Sequence, residues 1–263
     1  MRFKISLSLI RSQNQKLPLS YQYELSSFIY KTIARGDKMY ADWLHGNGFA
    51  TNGKQFRLFS FSNFHIPQYL IDKKEERLII QSNEISFDIA FLPERSTEEF
   101  VKGIFANQQF SIGDKISKVE FKVNSIELLP QPDFSKPLIG KTLSPICVTM
   151  KNETGKLDYF SPEHPDYSLL LKNNLLTKYE AFHGTPITTD VFLVWETNNK
   201  PHPKLIKIKS GTKEETRIRG YNCRFKLFAT PELMKIAYNA GIGEKNSMGF
   251  GMIEGDWRKI GED

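Results

Sequence analysis

Two glycine triplets near the end of the chain, Gly241-Ile242-Gly243 and Gly249-Phe250-Gly251, enclose Glu244-Lys245-Asn246-Ser247-Met248. Glycine reaches positive φ without penalty and lets a backbone come close to a partner. Consecutive N–H groups in such a loop form a concavity suited to phosphate. The order here is helix, loop, strand: a helix over 231–240 precedes the glycines and an apolar run through Met252 and Ile253 follows them. A dinucleotide fingerprint needs strand, glycines, helix, and a P-loop needs Lys-Ser/Thr where this chain has Lys245-Asn246, so neither motif fits. Two readings remain: a turn whose glycines only allow tight packing, or a cradle for a nucleic-acid backbone.

His45 stands apart from the other four histidines. It closes a short helix in Trp43-Leu44-His45-Gly46-Asn47-Gly48, and a helix C-terminus favours a protonated ring. Histidine ordinarily titrates near neutral pH, which general acid–base work requires. The plain alternative is a C-cap histidine without chemistry. Tyr30 lies on the preceding helix, off the stripe of Leu25, Ile29 and Ile33. It reads as half-buried packing unless that helix and the His45 helix meet face to face. Lys54 and Arg57 are cations close in sequence to His45; solvation alone would account for either. No His-x-x-x-His, no metal-holding Asp pair and no Gly-x-Ser-x-Gly elbow occurs, and Cys147 and Cys223 lack ligand spacing. An enzyme made from these residues is expected to use neither metal nor cofactor.

Charge narrows the partners. The 263-residue chain carries a net +6. Residues 200–226 hold nine Lys/Arg, among them Lys207, Lys209, Arg217, Arg219 and Arg224, against Glu214 and Glu215. Charge runs often simply face water, but one this one-sided beside a glycine loop is the footprint of a polyanion binder. No apolar run reaches membrane-spanning length. The start, Met1-Arg2-Phe3-Lys4-Ile5-Ser6-Leu7, alternates as a strand and not as a signal peptide. The two cysteines suit packing in a reducing cytosol, so a cytoplasmic protein is expected.

The elements that must position these residues repeat. Phe3, Ile5, Leu7 and Leu9 predict a strand; a helix opens at Ser20 and stops at Gly36; a second helix runs from Asp37 to His45. Phe56–Phe61 reads as a strand, Leu78–Phe91 as a hairpin turning at Ser82-Asn83, and Ser96-Thr97-Glu98-Glu99 as a capping box. Val119, Phe121 and Val123 close the set. After Pro130, Pro132 and Pro137 the pattern recurs: strand 143–150, helix 166–182, strand 191–195, further strands through Leu227, helix, and a last strand at 250–253. The economical fold is α+β, two tandem ferredoxin-like βαββαβ units. The expected division is 1–129, with the chemical candidates, and 138–263, with the basic strands and glycine loop.

In this order the residues resemble a known family. Leu17-Pro18-Leu19-Ser20-Tyr21-Gln22-Tyr23 leading to Ile29-Tyr30, Leu44-His45 followed by Leu58-Phe59-Ser60-Phe61-Ser62, and the whole of 241–251 are similar to the CRISPR repeat-processing endoribonucleases. These form the sixth CRISPR-associated family in the repeat-associated mysterious protein superfamily. The resemblance spans essentially the whole chain. It implies tandem ferredoxin-like domains, binding of precursor CRISPR RNA repeats, and one metal-independent cut per repeat. The products would be a 2′,3′-cyclic phosphate and a 5′-hydroxyl, and other CRISPR-associated effector subunits would be further partners. The family's catalytic tyrosine maps to Tyr30 and its histidine to His45. Its third member, usually lysine, falls on Arg57 by the Leu-Phe-Ser alignment and on Lys54 as the nearest lysine. The loop Gly241, Gly243, Lys245, Asn246, Ser247, Gly249 and Gly251 is expected to hold RNA phosphates away from the cut, and the basic strands to grip the repeat or its flanks. A slow-cutting subunit that delivers guide RNA, or a general RNA-binding module, would share these features.

Overall fold

The structure, a computed structural model, describes residues 1–10 and 15–257. Its first unit is built on a five-stranded antiparallel sheet. Arg2–Leu9 pairs with Glu84–Phe91 on one side and Lys118–Leu129 on the other, while Phe59–Phe61 and Gln109–Gly113 form the two edges. Apart from the edge strand Gln109–Gly113, this is the ferredoxin-like strand order. The helices of this unit are α1 (Gln22–Gly36), α2 (Lys38–Gly46) and α3 (Glu94–Ala106). In the second unit Leu193–Thr197, Arg224–Ala229, Leu138–Thr142 and Ile253–Trp257 lie in the same spatial order, crossed by α4 (Tyr167–His183) and α5 (Pro231–Ala240). The chain is thus α+β with two ferredoxin-like units in tandem. A hairpin of His202–Ile208 and Thr216–Asn222 is inserted between two strands of the second sheet.

Burial explains the elements. Phe3, Ile5, Leu7 and Leu9 point from alternate positions of the first strand into a core that Leu25, Phe28, Ile29 and Ile33 of α1 cover. Phe59, Phe61, Phe87, Phe91, Phe100 and Phe121 fill it. The second core collects Leu138, Leu171, Leu175, Phe225, Leu233 and Ile253. Arg2 stitches the units together: its guanidinium donates to Ile253 O at 2.8 Å and Tyr238 O at 2.7 Å and lies 3.7 Å from the Tyr238 ring centroid. A buried cation held in this way is strongly destabilising to lose, because its partners are left dry and unpaired.

Several local expectations change. Leu78–Phe91 is not a hairpin. The amides of Gln81 and Ser82 both turn to Gln68 O, so Arg77–Ile80 joins Tyr69–Asp72 and Lys16–Pro18 in a separate three-stranded sheet. α3 opens at Glu94 behind Pro93, and Ser96 spends its hydroxyl on Tyr40 OH at 2.6 Å instead of a capping box. The apolar run Phe56–Phe61 breaks at Leu58, whose φ is +52°; Lys54–Phe56 pairs with Phe49–Thr51 and Phe59–Phe61 with the main sheet. The strand expected over 143–150 is instead Leu138–Thr142, followed after an irregular stretch by Thr149–Lys151. Pairing supplied by other elements, which local alternation does not encode, decides each case.

Candidate active site

α1 and α2 meet face to face where it matters. The Tyr30 and His45 rings stand edge to face with centroids 5.0 Å apart and planes at 81°. Tyr30 is held from behind by the edge of Phe59. Burial raises the Tyr30 pKa, opposed by hydrogen bonds from Ser247 and Arg57, so the phenol stays protonated at neutral pH. His45 is exposed at the last turn of α2.

The kink at Leu58 sends Arg57 back onto that turn. Its Nη2 donates to His45 O at 2.6 Å and Gly46 O at 3.2 Å, and its Nη1 to Asn47 O at 3.3 Å. These are the carbonyls a helix end leaves without partners. Lys54, at the tip of the 49–56 hairpin, is exposed and joins no ion pair among the described residues. Tyr30, His45, Lys54 and Arg57 line one cavity of 690 Å³. Among the described residues no group of three or more His, Cys, Asp or Glu is placed to hold a metal ion.

The other wall of this cavity is the glycine loop, from Gly243 to Met248. The loop therefore sits at the candidate residues, not apart from them. Its four glycines are buried, and protein atoms fill the space beside them. A Cβ on Gly251 (φ +76°) would fall 1.9 Å from Ile242 O, and one on Gly249 (φ +89°) 2.9 Å from the Gln22 side chain. Asn246 is buried and donates to Ile242 O and Phe250 O at 3.0 and 3.1 Å. The glycines and Asn246 thus shape the loop from within. Lys245 is exposed, with φ +59°, and the Ser247 backbone carbonyl accepts from Ser26 Oγ at 2.6 Å, which ties the loop to α1.

A residue outside the sequence candidates holds the loop from below. Lys178 of α4, 1 % exposed, donates from Nζ to Gly241 O at 2.7 Å and Gly243 O at 2.8 Å. Burial lowers its pKa to about 7, with the nearby Glu244 carboxylate opposing. The sequence did carry a signal for it, a lysine on the apolar row of Leu171 and Leu175. The basic hairpin is mixed. Lys207 pairs with Glu76, Lys209 with Glu214 and Arg217 with Glu215, whereas Arg219 and Arg224 are exposed and unpaired among the described residues.

Sequence profiles of the CRISPR-associated protein Cas6 match twice, the N-terminal one over residues 16–127 and the C-terminal one over residues 129–255. The chain is 32% identical over 253 residues to a CRISPR-associated endoribonuclease Cas6 of Methanocaldococcus jannaschii, covering 95% of this chain and 91% of that one. The chain belongs to the Cas6 family. A Pyrococcus furiosus protein also named CRISPR-associated endoribonuclease Cas6 is 26% identical over 93% of the chain and 85% of its own length. Among solved structures, a Cas6-related protein from Pyrococcus furiosus superposes with a TM-score of 0.80 at 27% identity, over 100% of this chain and 99% of that one. This Cas6 chain thus shares family and fold with them along nearly its full length.

Proposed function

We propose that this Cas6 chain is an endoribonuclease that cuts precursor CRISPR RNA within its repeats by transesterification, without metal. The observation that carries the reading is the packing of Tyr30 against His45 in a cavity whose rim bears Lys54, Lys245 and the Arg57 turn. Membership of a family whose relatives are named endoribonucleases supports it.

RNA supplies its own nucleophile. The 2′-oxygen attacks the adjacent phosphorus, the bond from phosphorus to the 5′-oxygen breaks, and a 2′,3′-cyclic phosphate and a 5′-hydroxyl result. One proton leaves the 2′-oxygen and one reaches the 5′-oxygen. His45, exposed on the cavity, is the group assigned to proton transfer, a role typically contributing about 10²–10⁴-fold. The protonated Tyr30 phenol donates a hydrogen bond that orients the sugar–phosphate. Arg57 is committed to the α2 carbonyls, so the charge of the phosphorane falls to Lys54, with Arg57 fixing the turn that carries His45.

The test is cleavage of the cognate repeat RNA in EDTA. Cutting that a single 2′-deoxy substitution at the scissile position abolishes, while binding survives, is the expected result. Tight binding of an RNA that is never cut would instead assign the chain as a guide-RNA-binding subunit.

A further inference from the structure

The chemistry-bearing face of α1 does not end at the cavity. Tyr23, Ser27, Lys31 and Arg35 recur every fourth residue and so form one row along the helix. Beside this row, between α1 and the edge strand Gln109–Gly113, runs a second groove of 420 Å³. Tyr23, Ser27 and Lys31 line both spaces, which makes the groove a continuation of the cavity along a shared wall. Lys31 and Arg35 are exposed, and neither is engaged in an ion pair among the described residues. In that they differ from Lys207, Lys209 and Arg217 of the hairpin.

The groove also holds an unexplained carboxyl. Glu24 lines it, and its Oε2 is buried with no hydrogen-bond partner. Burial raises the Glu24 pKa. A buried polar atom without a protein partner is costly and calls for an explanation, a completing water, ion or ligand among them. A cationic rim over a floor with one spare acceptor matches what single-stranded RNA presents: phosphate anions outside and base N–H donors inside.

We propose that this groove is a subsite for the single-stranded repeat RNA continuing past the cut, with Lys31 and Arg35 on phosphates and the Glu24 carboxyl accepting from a base amino or imino group. The proposal rests on the RNA-cleaving reading above and adds to it a path and a point of sequence recognition. A rise of about 1.5 Å per residue sets Lys31 and Arg35 about 6 Å apart along the axis, a step that neighbouring phosphates of an extended strand can follow. Tyr23, on the wall common to both spaces, offers its ring to the base between cut and groove.

The test measures binding of an uncuttable repeat RNA, 2′-deoxy at the cut, to the full chain and to Arg35→Ala and Glu24→Gln. Arg35 lies outside the cavity, so the effect of Arg35→Ala is read in binding. The substitution weakens binding several-fold and lowers the salt dependence of log K by about 0.7. Trimming the flank that occupies the groove erases this deficit, and trimming the other flank does not. Base substitution along that flank reveals one preferred position for the wild type, which Glu24→Gln loses. Equal affinity of wild type and Arg35→Ala, or a deficit indifferent to trimming, overturns the subsite, and an unchanged base profile in Glu24→Gln overturns its base-reading part. A wild-type chain that binds but never cuts overturns the nuclease reading while these comparisons still decide the subsite. One that binds no RNA overturns both.

Discussion

From a position sealed off from solvent, the Lys178 ammonium nitrogen lies 2.7 Å from the carbonyl oxygen of Gly241. Its second bond, 2.8 Å to Gly243 O, brackets the first glycine triplet. α4 thereby fixes the height of the loop over Tyr30 and His45. Lys178 is a positioning residue, since its buried ammonium spends both bonds on loop carbonyls.

Lys178→Met is expected to slow cleavage far more than it weakens RNA binding, because two loop carbonyls lose their donors at a cost of about 1–3 kcal/mol each. The pH dependence separates this from general damage. The folded lysine releases its proton at about 7 and the unfolded one near the ordinary lysine value of 10.5. Between those limits the unfolded state binds more protons, so this group's contribution to stability rises with pH across that window and is at its lowest below it. Urea unfolding of wild type and Lys178→Met at pH 6 and pH 9 should therefore show a larger deficit in the variant at pH 9. An equal deficit at both pH values would place the low pKa elsewhere.

The four candidates around the cavity should respond differently to truncation. His45→Ala is expected to cost about 10²–10⁴-fold in single-turnover rate with little change in Kd. Tyr30→Phe keeps the ring contacts to His45 and Phe59 and removes only the hydroxyl, so a rate loss without a change in melting temperature isolates the phenol. Lys54→Ala should lower the rate and leave stability intact, since Lys54 is exposed. Arg57→Ala should lower both, because the last two α2 carbonyls and that of Asn47 lose their donor. Parallel melting and cleavage curves of the two cation variants decide between them.

On the hairpin, ion pairing sets the order of effects. Lys207→Ala exchanges an RNA contact against an existing pair with Glu76, whereas Arg219 has no such pair to give up. Arg219→Ala is expected to weaken RNA binding more and to reduce the salt slope by about 0.7–0.9. A Kd series between 50 and 200 mM salt for both variants checks this.

Periodicity located the helices because their buried faces are local. α1 shows Leu25, Ile29 and Ile33, and the α2 boundaries follow from Asp37, which accepts from Tyr40 N at 2.9 Å, and Gly46. Strand partners were less legible. Nothing in 78–91 says that Arg77–Ile80 leaves for another sheet, since that depends on Gln68. Of the site, the types and spacing of Tyr30, His45 and the glycine loop could be read, but their meeting could not. It needs the α1–α2 turn and a loop two hundred residues away. The roles of Arg57 as a helix-end clamp and Lys178 as a loop support rest on carbonyl partners, which side-chain patterns do not record.

The glycine loop itself yields the sharpest contrast between shape and contact. Gly251 has a φ of +76°, and an added Cβ would lie 1.9 Å from Ile242 O. An alanine there meets both backbone strain, about 1–3 kcal/mol on its own, and a collision with a carbonyl that cannot rotate away, because Asn246 Nδ2 already holds it at 3.0 Å. Gly251→Ala is thus expected to lower melting temperature and to abolish cleavage and RNA binding together. Lys245→Ala changes only an exposed side chain, so it should reduce RNA affinity with the melting temperature unmoved. If Gly251→Ala instead keeps its stability and loses RNA alone, the glycine meets ligand directly and the loop is a phosphate cradle in its own right. Differential scanning fluorimetry beside filter binding of the two variants tells these outcomes apart.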